Sequence, residues 1–560
     1  MSGEPNYWTN VLKRRISRRK ILAGGLGLAG ATIVGCNNEL SSPTRTSGAT
    51  TSSGPTPTRV PPTAAPASQI QRGGRLVFNW NADPSNLDPH LGTVGWDYQY
   101  ETFIYDPIIR NNEKGVPDPN LSLCEKWDFQ ETTLTFTLRK GVKFHDGTEL
   151  DAEAAKFNYD RIMDPANKSS GLASFAAVKS VEVVDKYTFK FNMNYPSAPL
   201  ISSALPNAFG FMVSPTQVKK VGNEQFAKQP IGTGPFMLSE WVPNSHVLLK
   251  KNPNYWLKDS TGGQTPYLDE VKIVMVADPL VALAGLQSGD IDITQISPLH
   301  IDDLKKNSSF GTLSYIQNPV SVVICNPALP PADDNNFRQA VGWGINPDEI
   351  NQKIYQGKMK PMLSGFWPSD SPYADPNVTA RPKFDLAKAK EFLSKSKYNG
   401  AEIPMLTFNI PAVLQSAELA QAQLKAVGIN VRLDVRETAQ ASALWNEGKT
   451  YPIYYAMWMK AIDPDNTASY LLYSKGYGNA GKMPNPELDD LIKKGAQTYD
   501  VAKRREIYRQ INEIMYGQGY AFPYLESVTF VGYNKRVQNY DSPWFSFDFG
   551  WRPWLAWIKK

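Results

Sequence analysis

The chain has 560 residues, 59 basic and 54 acidic, and a net charge of +5. That excess lies in the first 35 residues, where Lys13, Arg14, Arg15, Arg18, Arg19 and Lys20 stand against Glu4 alone. The remainder is close to neutral, so charge gives no case for a nucleic acid or an anionic surface as partner.

Ser17-Arg18-Arg19-Lys20-Ile21-Leu22 is a twin-arginine pattern, followed by a mild apolar run to Gly35. The run is too short to span a bilayer as a helix, so it is predicted as the h-region of an export signal. It closes on Ile33-Val34-Gly35-Cys36, which resembles a bacterial lipobox. The resemblance implies cleavage before Cys36, lipidation of its thiol and anchoring to the outer face of a membrane. Residues 37–71 are mostly Ser, Thr, Pro, Gly and Ala. Such a stretch cannot bury enough apolar surface to fold and reads as a tether of roughly 30 Å.

About 490 residues follow, room for two or three domains. Arg75–Trp80 is predicted as a buried strand, and Thr132–Arg139 alternates as a half-buried one. Asp146-Gly147 marks a turn, and Asp151 is a candidate N-cap for a helix running to Ile162. Val181–Met193 alternates again. Ser416–Val427 is predicted as a helix stopped by Gly428, with a strand over Ile429–Val435. Val501–Gln518 carries Ile507, Ile511, Ile514 and Met515 on one face, as an amphipathic helix does. The pattern is mixed α/β. Cys124 and Cys325, far apart in sequence, are predicted as buried thiols rather than a disulfide.

Five stretches, taken in order, carry a resemblance. They are Asn86-Leu-Asp-Pro-His90 with Phe103-Ile-Tyr-Asp-Pro107; Leu138–Thr148; Pro230-Ile-Gly-Thr-Gly-Pro-Phe236 running to Pro243, with Lys251-Asn-Pro-Asn-Tyr-Trp256; Ala284–Asp292; and Cys325-Asn326 with Phe337–Gly342. Together they resemble the extracytoplasmic solute-binding proteins of peptide-, dipeptide- and nickel-type ABC importers, family 5. The resemblance implies a two-lobed periplasmic-binding-protein-like α/β clamp with an extra subdomain in lobe I, about residues 113–228. Lobe I would take 72–319 and 520–560, and lobe II 320–519. The chain would cross the hinge near Val320–Asn326 and Ala521–Leu525.

The same resemblance places Trp458 and Trp445 at aromatic positions of a ligand cleft, with Trp96, Thr93, Asp463, Gly232 and Thr233 as further candidates. Aromatic walls stack on peptide planes and sugar rings alike; the competing reading of each tryptophan is core packing. Peptide binders of the family place an aspartate a few residues after the lobe II tryptophan. Here Met459, Lys460, Ala461 and Ile462 follow Trp458, and the first acid is Asp463. That departure leaves an oligopeptide and a neutral oligosaccharide both open as ligand.

No two of His90, His145, His246 and His300 lie at metal-ligand spacing, and no nucleophile elbow or P-loop is present. No cofactor, metal or catalytic residue is therefore expected. The expected function is a monomeric, lipid-anchored clamp that delivers a small solute to ABC permease subunits. A secreted glycan or peptide hydrolase and a ligand-sensing partner of a membrane receptor are the alternatives.

Overall fold

Alternating apolar residues build the sheet that organises the body. The computed structural model describes residues 70–540 and 552–560, apart from 81, 93–96, 113–114, 131, 368, 370, 459–462 and 483. The export signal, Cys36 and nearly all of the tether therefore lie outside the described residues. Among the described residues no helix is long and apolar enough to cross a membrane.

The strands in chain order are β1 Arg75–Trp80, β2 Cys124–Phe129, β3 Thr133–Leu138, β4 Val178–Asp185, β5 Thr188–Met193, β6 Phe236–Val242, β7 His246–Lys251, β8 Glu270–Met275, β9 Ile293–Ile296, β10 Phe310–Cys325, β11 Lys360–Pro361, β12 Ile403–Phe408, β13 Val431–Arg436, β14 Ile453–Trp458 and β15 Ala521–Asn534. The predicted single alternating segment Val181–Met193 is a hairpin instead. β4 and β5 pair antiparallel around Lys186-Tyr187, and the turn preserves the alternation on both sides.

One sheet runs through the body in the order β13-β12-β14-β10-β15-β9-β1-β8-β7-β6. Its centre is a long antiparallel pair, β10 with β15. The first half of β10 and the second half of β15 pair with each other, and β15 passes the sheet on to β9 in lobe I; the second half of β10 pairs with β14 in lobe II. Their register breaks between Ile316 and Val320 and again between Ser321 and Val322. A bulge bends and twists a strand locally, and this break lies beside the expected crossing at Val320–Asn326. On β15 the handover lies between Glu526, paired to Val320, and Phe530, paired to Ile296. The return crossing is thus a few residues beyond the expected Ala521–Leu525, because Ala521 to Glu526 still pair within lobe II.

Each lobe buries its own core. Leu76, Phe78, Val271, Ile273 and Ile293 pack in lobe I, and Val322, Val323, Ile453, Tyr454 and Tyr455 in lobe II. The extra subdomain is an antiparallel sheet, β2-β3-β5-β4, covered by the helix Ala152–Met163. Asp151 caps that helix by accepting from the Ala154 N–H at 2.9 Å. The subdomain core ends at Met212, whereas Val218 and Phe226 join the main lobe I core. It is therefore shorter than the expected 113–228.

Cys124 and Cys325 are both free and buried. Burial pushes the Cys325 thiol up to about 12, which makes it inert at physiological pH.

Candidate functional site

β14 ends at Trp458, whose backbone pairs with Val320 beside the register break. The indole is half-buried at the edge of the lobe II core. Its ring lies 5.7 Å from Tyr470, which lies 5.9 Å from Tyr477. Tyr470 is 37 % exposed and Tyr477 is 67 % exposed. This aromatic ladder leads from the hinge into a groove of about 750 Å³ between the lobe I subdomain and lobe II. Tyr195, Ser203 and Asn207 form one wall; Asn466, Tyr470, Tyr473 and Tyr477 form the other. The volume is within the usual range for small-molecule sites.

The two walls touch. Asn466 Nδ2 donates to Ser203 Oγ at 3.0 Å, and the Ser197 N–H donates to the Tyr499 hydroxyl at 3.3 Å. Ser202 Oγ also donates to Asp463 Oδ2. Asp463 is the N-cap of the short helix Pro464–Thr467. It is fully buried and accepts two bonds from Arg504, at 2.6 and 2.7 Å. Its expected role as a ligand contact is therefore corrected: the carboxylate is consumed by Arg504, Ser202 and the Asp465 N–H. Asp465 is the acid on the groove wall, and its carboxyl is pushed up to about 6 by burial and by neighbouring Asp463.

Trp445 is also corrected. It is 2 % exposed, its ring lies 5.1 Å from Tyr454, and its indole N–H donates to the Gly478 carbonyl at 3.1 Å. It belongs to the lobe II core beneath the groove. Thr93 and Trp96 lie outside the described residues.

Gly232 and Thr233 form a brace rather than a ligand surface. A Cβ at Gly232 would come 2.3 Å from the Ile104 carbonyl oxygen, so only glycine allows that approach. Thr233 is fully buried and donates to Asp106 at 3.4 Å. Asp106 also accepts from Tyr255, Trp256 and Arg110 at 3.1, 2.8 and 2.8 Å. The glycine turn, the Asn-Pro-Asn-Tyr-Trp turn and the Ile-Tyr-Asp-Pro segment thus converge on one buried carboxylate. Their shared role is to lock lobe I together.

His90 and His145 are structural. His145 Nδ1 accepts from the Gly232 N–H at 3.3 Å, and Nε2 lies 3.0 Å from the Gly234 carbonyl, which only an N–H can satisfy. His90 Nδ1 faces the Arg161 guanidinium at 3.2 Å, with Nε2 2.9 Å from the Phe211 carbonyl. Both rings are held neutral, and burial lowers each to about 4, with Arg161 adding to the effect at His90. A lowered folded-state value means that the unfolded chain takes up these protons first as pH falls. Their contribution to stability is present above about 6.5 and is lost between there and about 4. Asp465, whose value is raised, acts with the opposite sign. NMR titration of the imidazoles should find His90 and His145 unprotonated at about pH 5, against an ordinary value near 6.5.

Tyr470, Tyr477, Tyr195, Ser202 and Arg504 escaped the sequence reading. The close spacing of Tyr470, Tyr473 and Tyr477 was the one available signal. Among the described residues no cluster of His, Cys, Asp and Glu could hold a metal ion.

Two α/β lobes joined by a bulged strand pair, with a tyrosine-lined groove between them, define a solute-binding clamp. The model of bacterial extracellular solute-binding proteins, family 5, middle region, matches residues 118–480, and the chain belongs to that family. It is 26% identical to the nickel-binding periplasmic protein of Escherichia coli strain K12, over 78% of this chain and 86% of that protein. It is 27% identical to di/tripeptide-binding protein 3 of Pseudomonas aeruginosa, over 84% of this chain and 93% of that protein. Among solved structures, the ABC transporter-associated periplasmic binding protein DppA of Helicobacter pylori, in complex with the peptide STSA, superposes with a TM-score of 0.72. That match is 25% identical and covers 88% of this chain and 99% of that one. The substrate-binding protein CtaP of Listeria monocytogenes shares the fold, with a TM-score of 0.76 at 24% identity over 88% of this chain and 100% of that one.

Proposed function

We propose that this chain is a lipid-anchored receptor that captures a short peptide between its lobes and passes it to an ABC importer. The observation that carries the reading is the groove of about 750 Å³, with walls from both lobes and four tyrosines on them. A ligand that touches both walls binds the closed clamp better than the open one. Taking the clamp from mostly open to mostly closed needs roughly 5.5 kcal/mol of differential affinity. The bulged β10–β15 pair is the element that would bend. The similarity to a di/tripeptide-binding protein and a dipeptide-binding protein supports a peptide. The importer is the listener that the DppA and CtaP descriptions suggest.

A neutral oligosaccharide is the second reading. It is favoured by the tyrosine faces and by the engagement of Asp463 with Arg504, which removes the nearest acid after Trp458 as a partner for an ammonium group. Native mass spectrometry of the purified protein separates the two. A co-purified peptide mass supports the first reading, and a hexose ladder replaces it with the second. Anchoring rests on Cys36. Cys36→Ser should move the protein from the membrane to the soluble fraction on cell fractionation, and persistence in the membrane would remove the anchor from the proposal.

A further inference from the structure

Tyr477 is a large aromatic side chain at 67 % exposure, yet the turn that carries it is fastened from several directions. The Lys482 ammonium donates to the Gly476 carbonyl and, at 3.1 Å, to the Tyr477 carbonyl. The Trp445 indole donates to the Gly478 carbonyl at 3.1 Å. Asn479 Nδ2 donates to the Tyr473 carbonyl at 3.0 Å, and the Gly478 N–H to the Tyr470 carbonyl at 3.0 Å. The turn also leaves no room for a side chain where it passes Tyr470: a Cβ at Gly478 would lie 2.1 Å from that ring. A lysine folded back onto two carbonyls of its own turn, in a left-handed backbone conformation at φ 47°, gives up hydration and rotamer freedom. The result is a turn whose backbone is fastened on both sides of Tyr477.

We infer that residues 473–482 form a prebuilt stacking platform for the flat groups of the ligand, with Lys482 and Trp445 as positioning residues acting through Tyr477 and Tyr470. This rests on the proposed capture function and specifies how the groove recognises its solute. Stacking needs a ring at a set angle, and a pinned ring binds more tightly because less motion is lost on binding. The chemical class implied is a ligand with successive planar units, such as peptide planes, rather than a compact ion. Trp445 therefore serves the site from beneath it, one layer away from its expected place.

The test is a double-mutant cycle on the full-length protein, Lys482→Met with Tyr477→Ala. Affinity for a pool of unblocked tripeptides is read by native mass spectrometry, and the best-retained tripeptide is then titrated alone. Lys482→Met should weaken binding about tenfold, and Lys482→Arg should recover most of it. In a Tyr477→Ala background the same change should have almost no further effect. Additive losses would overturn the inference, because a general structural role does not depend on Tyr477. Hydrogen exchange gives a readout that needs no ligand. The amides of Gly478 and Asn479 should exchange at least about tenfold faster in Lys482→Met and in Trp445→Phe, while the rest of lobe II is unchanged. Unchanged exchange at those amides would also overturn it. If the parent protein retains no tripeptide, the peptide reading fails, and the exchange measurement still decides whether the turn is pinned.

Discussion

Trp458→Ala should reduce solute affinity by roughly a hundredfold or more while both lobes remain folded. The indole stands where β14 reaches the register break, with Tyr470 on one side and the groove beyond. An aromatic side chain buries about 150–250 Å² on full enclosure. Losing even half of that against a ligand, at about 25 cal/mol per Å², removes roughly 2–3 kcal/mol. Withdrawal of Trp458 also leaves Tyr470 unsupported at the ladder's first step. The fold survives because the ring only borders the lobe II core, whereas Trp445 and Tyr454 are enclosed within it. Calorimetry and thermal unfolding on the same preparation check both halves. Unchanged affinity would remove Trp458 from the site, and a collapsed melting temperature would reassign it to the core.

The second large effect concerns stability. Arg504→Met should destabilise lobe II by about 3–5 kcal/mol, a large share of the 5–15 kcal/mol typical of a folded domain. Arg504 is 1 % exposed and Asp463 is fully buried, so loss of the guanidinium leaves a carboxylate without its counter-charge. Arg504 also packs on Tyr373 and Tyr508, at 4.8 and 5.3 Å, and donates to the Gly495 carbonyl at 2.9 Å. The double variant Asp463→Leu/Arg504→Met removes both charges and should recover part of the loss. Urea unfolding of the three proteins measures this. Equal midpoints for the parent and the single variant would show that the pair carries no net stability.

The two experiments separate contributions that the sequence presents side by side. Trp458 and Asp463 stand five positions apart and read as one motif. Trp458 lies against Tyr470 of the groove wall; Asp463 fastens the wall's base to the opposite lobe through Ser202. Trp445 reads as Trp458's equal, an aromatic residue next to a strand. The difference between them lies in the partners: the helix Thr438–Glu447 presents Trp445 to Tyr454 and the 478 carbonyl, and no periodicity in residues 438–458 announces that.

Local features were legible. Arg75–Trp80 is β1 as predicted, the alternation over Thr132–Arg139 is β3, and the amphipathic stretch from Val501 is a helix to Gly517. Asp151 is the N-cap expected, and the helix before Gly428 starts earlier than expected, at Pro411. The five ordered motifs identified the family before any coordinate, although the structure shows that three of their segments meet at Asp106 as a lobe I brace.

By itself the sequence determined the mixed α/β class, the family, the near-neutral body and several of the helices and strands. Those properties depend on composition or on neighbours within about four residues, where caps and periodicity act. Only the tertiary structure decided which tryptophan stacks beside a tyrosine of the groove wall, where the sheet changes lobes, and that Asp463 is already engaged. Those outcomes depend on partners 41 positions away for Arg504 and 261 away for Ser202, separations across which no local pattern survives.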